Sequence, residues 1–283
     1  MSQTLITTIT EGQKKQIKRF AEDAVDCAIA KGILNKDGIQ RLIENGGDFQ
    51  SHIAAGIKEF SASNQYANEE VNSHYTYPKG YKIKGITEQT NILRQIFPGV
   101  GYADEKLAER PLPANAEGWF AIPRWERMSP TYGEAVQIVF GMIKRTRNDK
   151  FYTPCPLDLN RRVQTVAMLK NIGDQQRGSD ILVIPAQFGV RYRGMSVRRV
   201  REIVDTLEFG MGVFQVAIML LTHPERFQQF YNLWIDCAGD DYIFDTVHAA
   251  PYFSFRYNKV RFSTRWVGKQ DVKFGSISGF VPK

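Results

Sequence analysis

The run Phe209 to Leu221 constrains this chain more than any other stretch. As a helix, Met211, Val213, Phe214, Val216, Ala217, Ile218, Met219, Leu220 and Leu221 would surround it on nearly every side, with Gln215 the polar exception. A helix apolar all round is buried, and this one is too short for a bilayer, which needs about 20 apolar residues. The chain must therefore build layers around it. Asp180-Ile181-Leu182-Val183-Ile184-Pro185 is a continuous, β-branched-rich run that predicts a strand covered on both faces and stopped by Pro185. Leu233-Trp234-Ile235-Asp236-Cys237 predicts a second buried strand, and Thr222-His223-Pro224-Glu225 has the spacing of a capping box opening a short helix. Ser179 to Asp241 thus reads as one structural unit.

The loop Ala186 to Met195 joins its first strand to its first helix and carries Gly189 and Gly194 with Arg191 and Arg193. Ser196 is placed as an N-cap, with Val197, Val200, Val204 and Leu207 on one side of the helix and Arg198, Arg199, Glu202 and Asp205 on the other. Two arginines in a first turn oppose the helix macrodipole, where carboxylates are the stabilising choice. Either a phosphate or carboxylate docks there among Arg191, Arg193, Arg198 and Arg199, or Arg198 pairs with Glu202 and Arg201 with Asp205 on a solvated face.

In chain order, Thr10-Glu11-Gly12-Gln13 has capping-box spacing, and Ile17, Phe20, Ala21, Ala24, Val25, Ala28 and Ile29 repeat at helical intervals up to Gly32. Further apolar repeats follow on either side of Gly46-Gly47, so residues 1–62 are expected to form a helical subdomain. Residues 63–118 read as a Tyr/Lys-rich loop, a short helix over Thr87 to Phe97 and a Pro-rich linker; the loop tyrosines either stack on bases or pin the loop to the protein. Residues 119–283 are expected to be the core. Trp119 to Pro123 looks like an early version of the Ile184-Pro185 strand, followed by Arg124 and Arg127 and a helix capped at Thr131 with Tyr132, Ala135, Val136, Val139, Phe140 and Ile143 inward. This likeness places two arginine-bearing loops at one end of one sheet. Leu159 to Ile172 predicts a further helix, opening with Arg161 and Arg162.

Near the C-terminus, Tyr252 to Tyr257 and Val260 to Trp266 alternate as a hairpin about Asn258-Lys259. One face holds Phe253, Phe255 and Phe262; the other holds Ser254, Arg256, Arg261, Ser263 and Arg265. In that register Arg256 lies opposite Arg261, which is destabilising unless an anion, or the internal carboxylates Asp240, Asp241 and Asp245, offset it. The fold class is therefore α+β or mixed α/β: a helical subdomain, a central sheet with flanking helices and a C-terminal antiparallel meander.

The formal charge of +7 is blocked: residues 151–200 carry eight Lys/Arg against three Asp/Glu, 201–250 two against eight, and 251–283 seven against one. Cys27, Cys155 and Cys237 form no C-x-x-C; sparse thiols, the absence of a signal-peptide pattern and the short apolar run point to a soluble, intracellular, cytoplasmic protein outside the membrane. Cys155 and Cys237 lack a nearby histidine and read as inert. No P-loop, G-x-S-x-G, H-E-x-x-H or EF-hand pattern is present, and Gly210-Met211-Gly212 lies inside the apolar run.

The leading expectation is a binding protein for a phosphate-rich partner, nucleic acid first, through Arg191, Arg193, Ser196, Arg198 and Arg199 and the Arg256, Arg261 and Arg265 hairpin face. An alternative is a metal-assisted phosphoester hydrolase or phosphoryl transferase with Mg²⁺ on Asp236, Asp240 and Asp241, perhaps with His248. A third is an assembly protein in which basic and acidic blocks of different copies pair. Oligomeric state is open.

Overall fold

The computed structural model describes residues 10–61, 64–154, 158–244 and 247–282. The chain divides into two compact units, Met1–Ala62 and Ser63–Lys283. The first is helical: α1 (Glu11–Ala30), α2 (Lys36–Glu44) and α3 (Gly46–Ser61). Thr10 and Gln13 form the reciprocal capping box that their spacing predicts. None of the described side chains in this unit is buried, and Ile17, Phe20, Ile33 and Ile43 are more than half exposed.

In the second unit α4 (Ile86–Ile96) precedes β1 (Gly118–Pro123) and α5 (Tyr132–Thr146). The short strands β2 (Phe151–Tyr152) and β3 (Leu159–Arg161) follow, then α6 (Val163–Gln175) and β4 (Ile181–Gln187). Next come α7 (Val197–Ile203), β5 (Glu208–Gly210) and α8 (Val213–Thr222). Strands β6 (Trp234–Asp236), β7 (Asp240–Phe244), β8 (Val247–Arg256), β9 (Lys259–Trp266), β10 (Phe274–Ser276) and β11 (Ser278–Phe280) complete it. The class is α+β with a C-terminal antiparallel meander, as the pattern predicts. One sheet has the order β1-β4-β11-β5; in the other, β10-β6-β8-β7-β3 are joined by β9, which pairs with β8 and β2.

Every residue of α8 is buried, and the helix packs on α5 and β1 at the heart of one core that includes Phe120 and Val183 of the first sheet and Phe253 and Phe262 of the second. The buried face of α5 is Tyr132, Ala135, Val136, Val139, Phe140 and Ile143, matching the helical period. The apolar run is helical only from Val213, because Phe209 lies in β5 and the chain between them crosses Ala238-Gly239 at close range. A Cβ on Gly210 would lie 2.7 Å from the Ala238 carbonyl carbon, so glycine is required there.

Four local expectations are corrected. Pro185 does not end β4, which runs on to Gln187. The amide and carbonyl of Val183 face away from β1 and are held by the Gln176 side chain, at 2.8 Å each; Pro185, two residues on, faces that same edge before β11 begins at Ala186. No ladder bond is lost through its missing N–H. Second, β1 and β4 are antiparallel, with Pro123 opposite Ile181. The Arg124 and Arg191 loops therefore leave from opposite ends of the sheet. Third, Leu159–Arg161 is a strand paired with β7, and the helix starts at Val163. Fourth, the hairpin turn is Tyr257-Asn258, both at positive φ as a two-residue type I′ turn requires, so Arg256 faces Lys259 and Arg261 faces Ser254. Asn tolerates the left-handed region, which draws the turn one residue earlier.

No helix among the described residues is long and apolar enough to cross a membrane.

Candidate functional site

Ser196 caps α7, accepting from the Arg199 amide at 3.0 Å. The counter-charge its first turn lacks comes from a distant segment. Glu69, Glu70 and Val71 run beside Gly194 to Ser196, held by Val71 N–H to the Gly194 carbonyl and Ser196 N–H to the Glu69 carbonyl, each at 3.0 Å. Glu69 then accepts from Ser196 Oγ at 2.6 Å and from Arg198 Nε at 2.7 Å. Arg198 holds the Glu69 carboxyl below its usual range, against a smaller opposing effect of burial. Arg199 meets Glu70 at 2.6 Å and Glu202 at 2.9 Å. Arg191 lies 3.7 Å from the buried Glu208, and Arg193 is half-buried with no ion pair among the described residues. Three of the four arginines predicted around a docked anion thus already face carboxylates of their own chain.

The aspartates follow the same logic. Asp236 lies under Arg265, whose Nε and Nη2 are each 3.0 Å from its two oxygens. Asp240 is buried and accepts from Tyr132 Oη and the Val213 amide, both at 2.7 Å. Burial pushes each carboxyl up to about 6, and in Asp236 the Arg265 guanidinium opposes that rise. Asp241 meets Arg201 at 2.8 Å and Arg162 at 2.9 Å. These carboxylates serve separate partners, and among the described residues no group of three His, Cys, Asp or Glu could hold a metal ion. Cys237 is buried beside them, and burial raises its thiol well above the usual range, so it stays protonated. Cys155 and Asp245 lie outside the described residues.

The hairpin face differs. Arg256 and Lys259 sit opposite each other at the exposed tip. Arg256 lies 5.3 Å from the ring centre of Tyr257 and 5.7 Å from that of Phe230. Arg261 lies 4.6 Å above Tyr152, its neighbour on β2, and Lys273 lies 4.7 Å from Phe230 and 5.5 Å from Trp234. Among the described residues no carboxylate comes within ion-pair reach of Arg256, Lys259, Arg261 or Lys273. Tyr152, Phe230 and Tyr257 are exposed by 44%, 44% and 76%. This is the face of the second sheet turned away from the core, since Phe253, Phe255, Val260 and Phe262 take the inner side. Arg265 shares the outer face but is committed to Asp236.

The sequence singled out Arg256 and Arg261 but not their platform. Tyr152 reaches Arg261 only through the parallel pairing of β2 with β9, and Phe230 and Lys273 come from separate loops; spacing holds no signal for either. Glu69 and Glu70 were equally hidden, being about 130 residues from the arginines they meet. The loop tyrosines pin the chain inward: Tyr77 Oη donates to Glu117 at 2.6 Å, and Tyr66 lies 4.4 Å beneath Arg198. Comparison with known proteins found no matching family model, no matching curated protein and no matching solved structure.

Proposed function

We propose that this chain binds single-stranded nucleic acid on the outer face of its second sheet. The observation that carries the reading is a set of cations, the exposed Arg256 and Lys259 and the half-buried Arg261 and Lys273, of which Arg256, Arg261 and Lys273 lie on exposed rings, and none of which has a carboxylate within reach among the described residues. A guanidinium resting on a ring keeps its N–H donors free for phosphate. An exposed ring beside it offers a stacking surface to any base, and the combination suits unpaired strands with little sequence preference. Like charges at the hairpin tip, Arg256 opposite Lys259, are relieved by a phosphate between them.

Fluorescence anisotropy with a labelled single-stranded RNA or DNA oligonucleotide tests this. Binding at low ionic strength that weakens steeply with salt is expected, together with a loss of at least about tenfold in Arg256→Glu/Arg261→Glu, or about 1.4 kcal/mol. No binding at low salt, or an unchanged affinity in that variant, removes the reading.

A further inference from the structure

Helix α1 is amphipathic, and among the described residues its apolar side lies open. Ile17, Phe20, Ala24, Val25, Ala28 and Ile29 recur along one side at helical spacing. Yet Ile17, Phe20, Val25 and Ile29 are between 43% and 61% exposed, and no residue of α1 is buried. α2 packs on α3 and leaves this side of α1 uncovered. A helix of 20 residues draws most of its stability from packing an amphipathic face, and alone in water it is marginal. The helix therefore calls for a cover.

The polar side says which cover fits. The N-terminal half of α1 holds Lys14, Lys15, Lys18 and Arg19 and the C-terminal half Glu22, Asp23 and Asp26; with Glu11 this makes four cations against four carboxylates. A helix without net charge has no pull on an anionic membrane or a nucleic acid, both of which call for a basic face. Lys14 meets Glu11 at 2.7 Å and Arg19 meets Asp23 at 3.8 Å, but these side chains are more than half in solvent, where such pairs hold little. The segregation of charge along the helix is self-complementary in one direction. A second α1 running parallel sets like halves together, whereas one running antiparallel lays each basic half beside an acidic half. The apolar side carries the same asymmetry in volume. Its bulky members Ile17 and Phe20 precede the small Ala21 and Ala24. A twofold axis between residues 20 and 21 brings Ile17 alongside Ala24 and Phe20 alongside Ala21, so charge and volume select the same arrangement.

We propose that α1 is a dimerisation helix, its apolar side covered by α1 of a second copy of this chain running antiparallel about a twofold axis near residues 20 and 21. Such an interface is isologous: one surface serves both copies and the assembly closes at two. Burial of the apolar side drives association. The charged halves, exposed and screened over a Debye length of about 8–10 Å, set its direction. The surface shares no residue with the hairpin face, so it stands or falls independently of nucleic-acid binding.

Size-exclusion chromatography with light scattering and sedimentation equilibrium on the full chain test it. A dimer that dissociates on dilution is expected. Ile17→Glu/Phe20→Glu should be monomeric at every concentration. Lys14→Glu/Lys15→Glu/Lys18→Glu/Arg19→Glu makes both halves acidic and should raise the dimer Kd at least about tenfold. Adding Glu22→Lys/Asp23→Lys/Asp26→Lys to that variant exchanges the two halves and should restore the dimer, which a mere loss of helix would not allow. Cys27, exposed on α1, reads the direction: antiparallel copies hold their two Cys27 thiols about 20 Å apart along the helix. Mild oxidation should therefore leave the dimer without a disulfide between them. The proposal is overturned by a chain that is monomeric at every concentration, by a dimer that survives Ile17→Glu/Phe20→Glu, by an unchanged Kd in the all-acidic variant, by failure of the exchanged variant to recover, or by a dimer linked through Cys27.

Discussion

Two groups of arginines in this protein have been solved in opposite ways. Around α7, Arg198, Arg199 and Arg201 each meet a carboxylate of the same chain within 3 Å, supplied by Glu69, Glu70, Glu202 and Asp241. On the outer face of the hairpin, Arg256 and Arg261 meet rings instead. A carboxylate uses up both the charge and the directional donors of a guanidinium, whereas a ring supports it from one side and leaves the fork open. An incoming phosphate at α7 must displace a partner already in place. At the hairpin it displaces only water. Arginine density therefore says little about ligand binding until the counter-charges are located.

The contrast breaks most forcefully at Glu69. Glu69→Ala leaves the Arg198 guanidinium and Ser196 hydroxyl without their acceptor, and breaking such a partly buried pair is expected to lower stability by about 3 kcal/mol, read from urea denaturation. Oligonucleotide affinity of the folded variant should stay unchanged; a gain in affinity would show α7 to be a masked binding site instead. On the other side, Arg256→Gln and Arg261→Gln should leave Tm within a degree or two. Each should reduce the slope of log K against log salt by about 0.7, the counterion release of one single-strand phosphate contact. Next in size is the platform itself: Tyr152→Ala should cost about 1–3 kcal/mol of binding through lost stacking, with the larger value if its ring also positions Arg261. An effect no greater than that of Tyr152→Phe would make the ring a bystander.

The smallest effect is on acid stability, where opposing groups partly cancel. His223 is buried, its Nε2 accepts from the Lys84 amide at 3.1 Å, and burial with the nearby Lys84 ammonium pushes its pKa down to about 4. A folded value below the unfolded one, about 6.5, gives stability that is present above pH 6.5 and lost as pH falls towards 4. Asp236 and Asp240, raised to about 6, act with the opposite sign: their contribution grows as pH falls through 6 towards 4. Two raised carboxyls outweigh one lowered imidazole, so wild-type stability should rise by on the order of 1–2 kcal/mol as pH falls from 6.5 to 4.5. Asp240→Asn leaves one carboxyl against the imidazole and should flatten that profile, read from Tm across the same window; an unchanged rise in that variant would show that Asp240 does not titrate there.

Much of the fold was legible. The run from Val213 to Leu221, apolar but for Gln215, became the central helix because a helix apolar on nearly every side admits no other location; all ten residues to Thr222 are buried. The inward face of α5 and the caps at Thr10, Thr131 and Ser196 followed from local hydrogen-bond chemistry, which spacing records directly. Errors fell where local rules were overridden by neighbours: Pro185 is harmless because the edge it faces carries no strand at that point, and the run Leu159 to Arg161 pairs with β7 instead of starting a helix. Of the candidate site, Arg256 and Arg261 were visible as a charged stripe on an alternating strand. Their rings and the counter-charges of α7 were not.

The sequence by itself determined which residues are apolar, where the side-chain-capped helices α1, α5 and α7 begin and which side of each hairpin strand turns inward, because these follow from periods of 3.6 and 2 and from groups within four residues of each other. Only the tertiary structure decided which cations are free. A guanidinium is neutralised by whichever carboxylate comes within about 4 Å, and Glu69 reaches Arg198 by a pairing of distant segments that no local pattern encodes. The same holds for Trp125, Arg161 and Gln215, which come from the turn after β1, from β3 and from α8 and line one cavity only once those segments have packed.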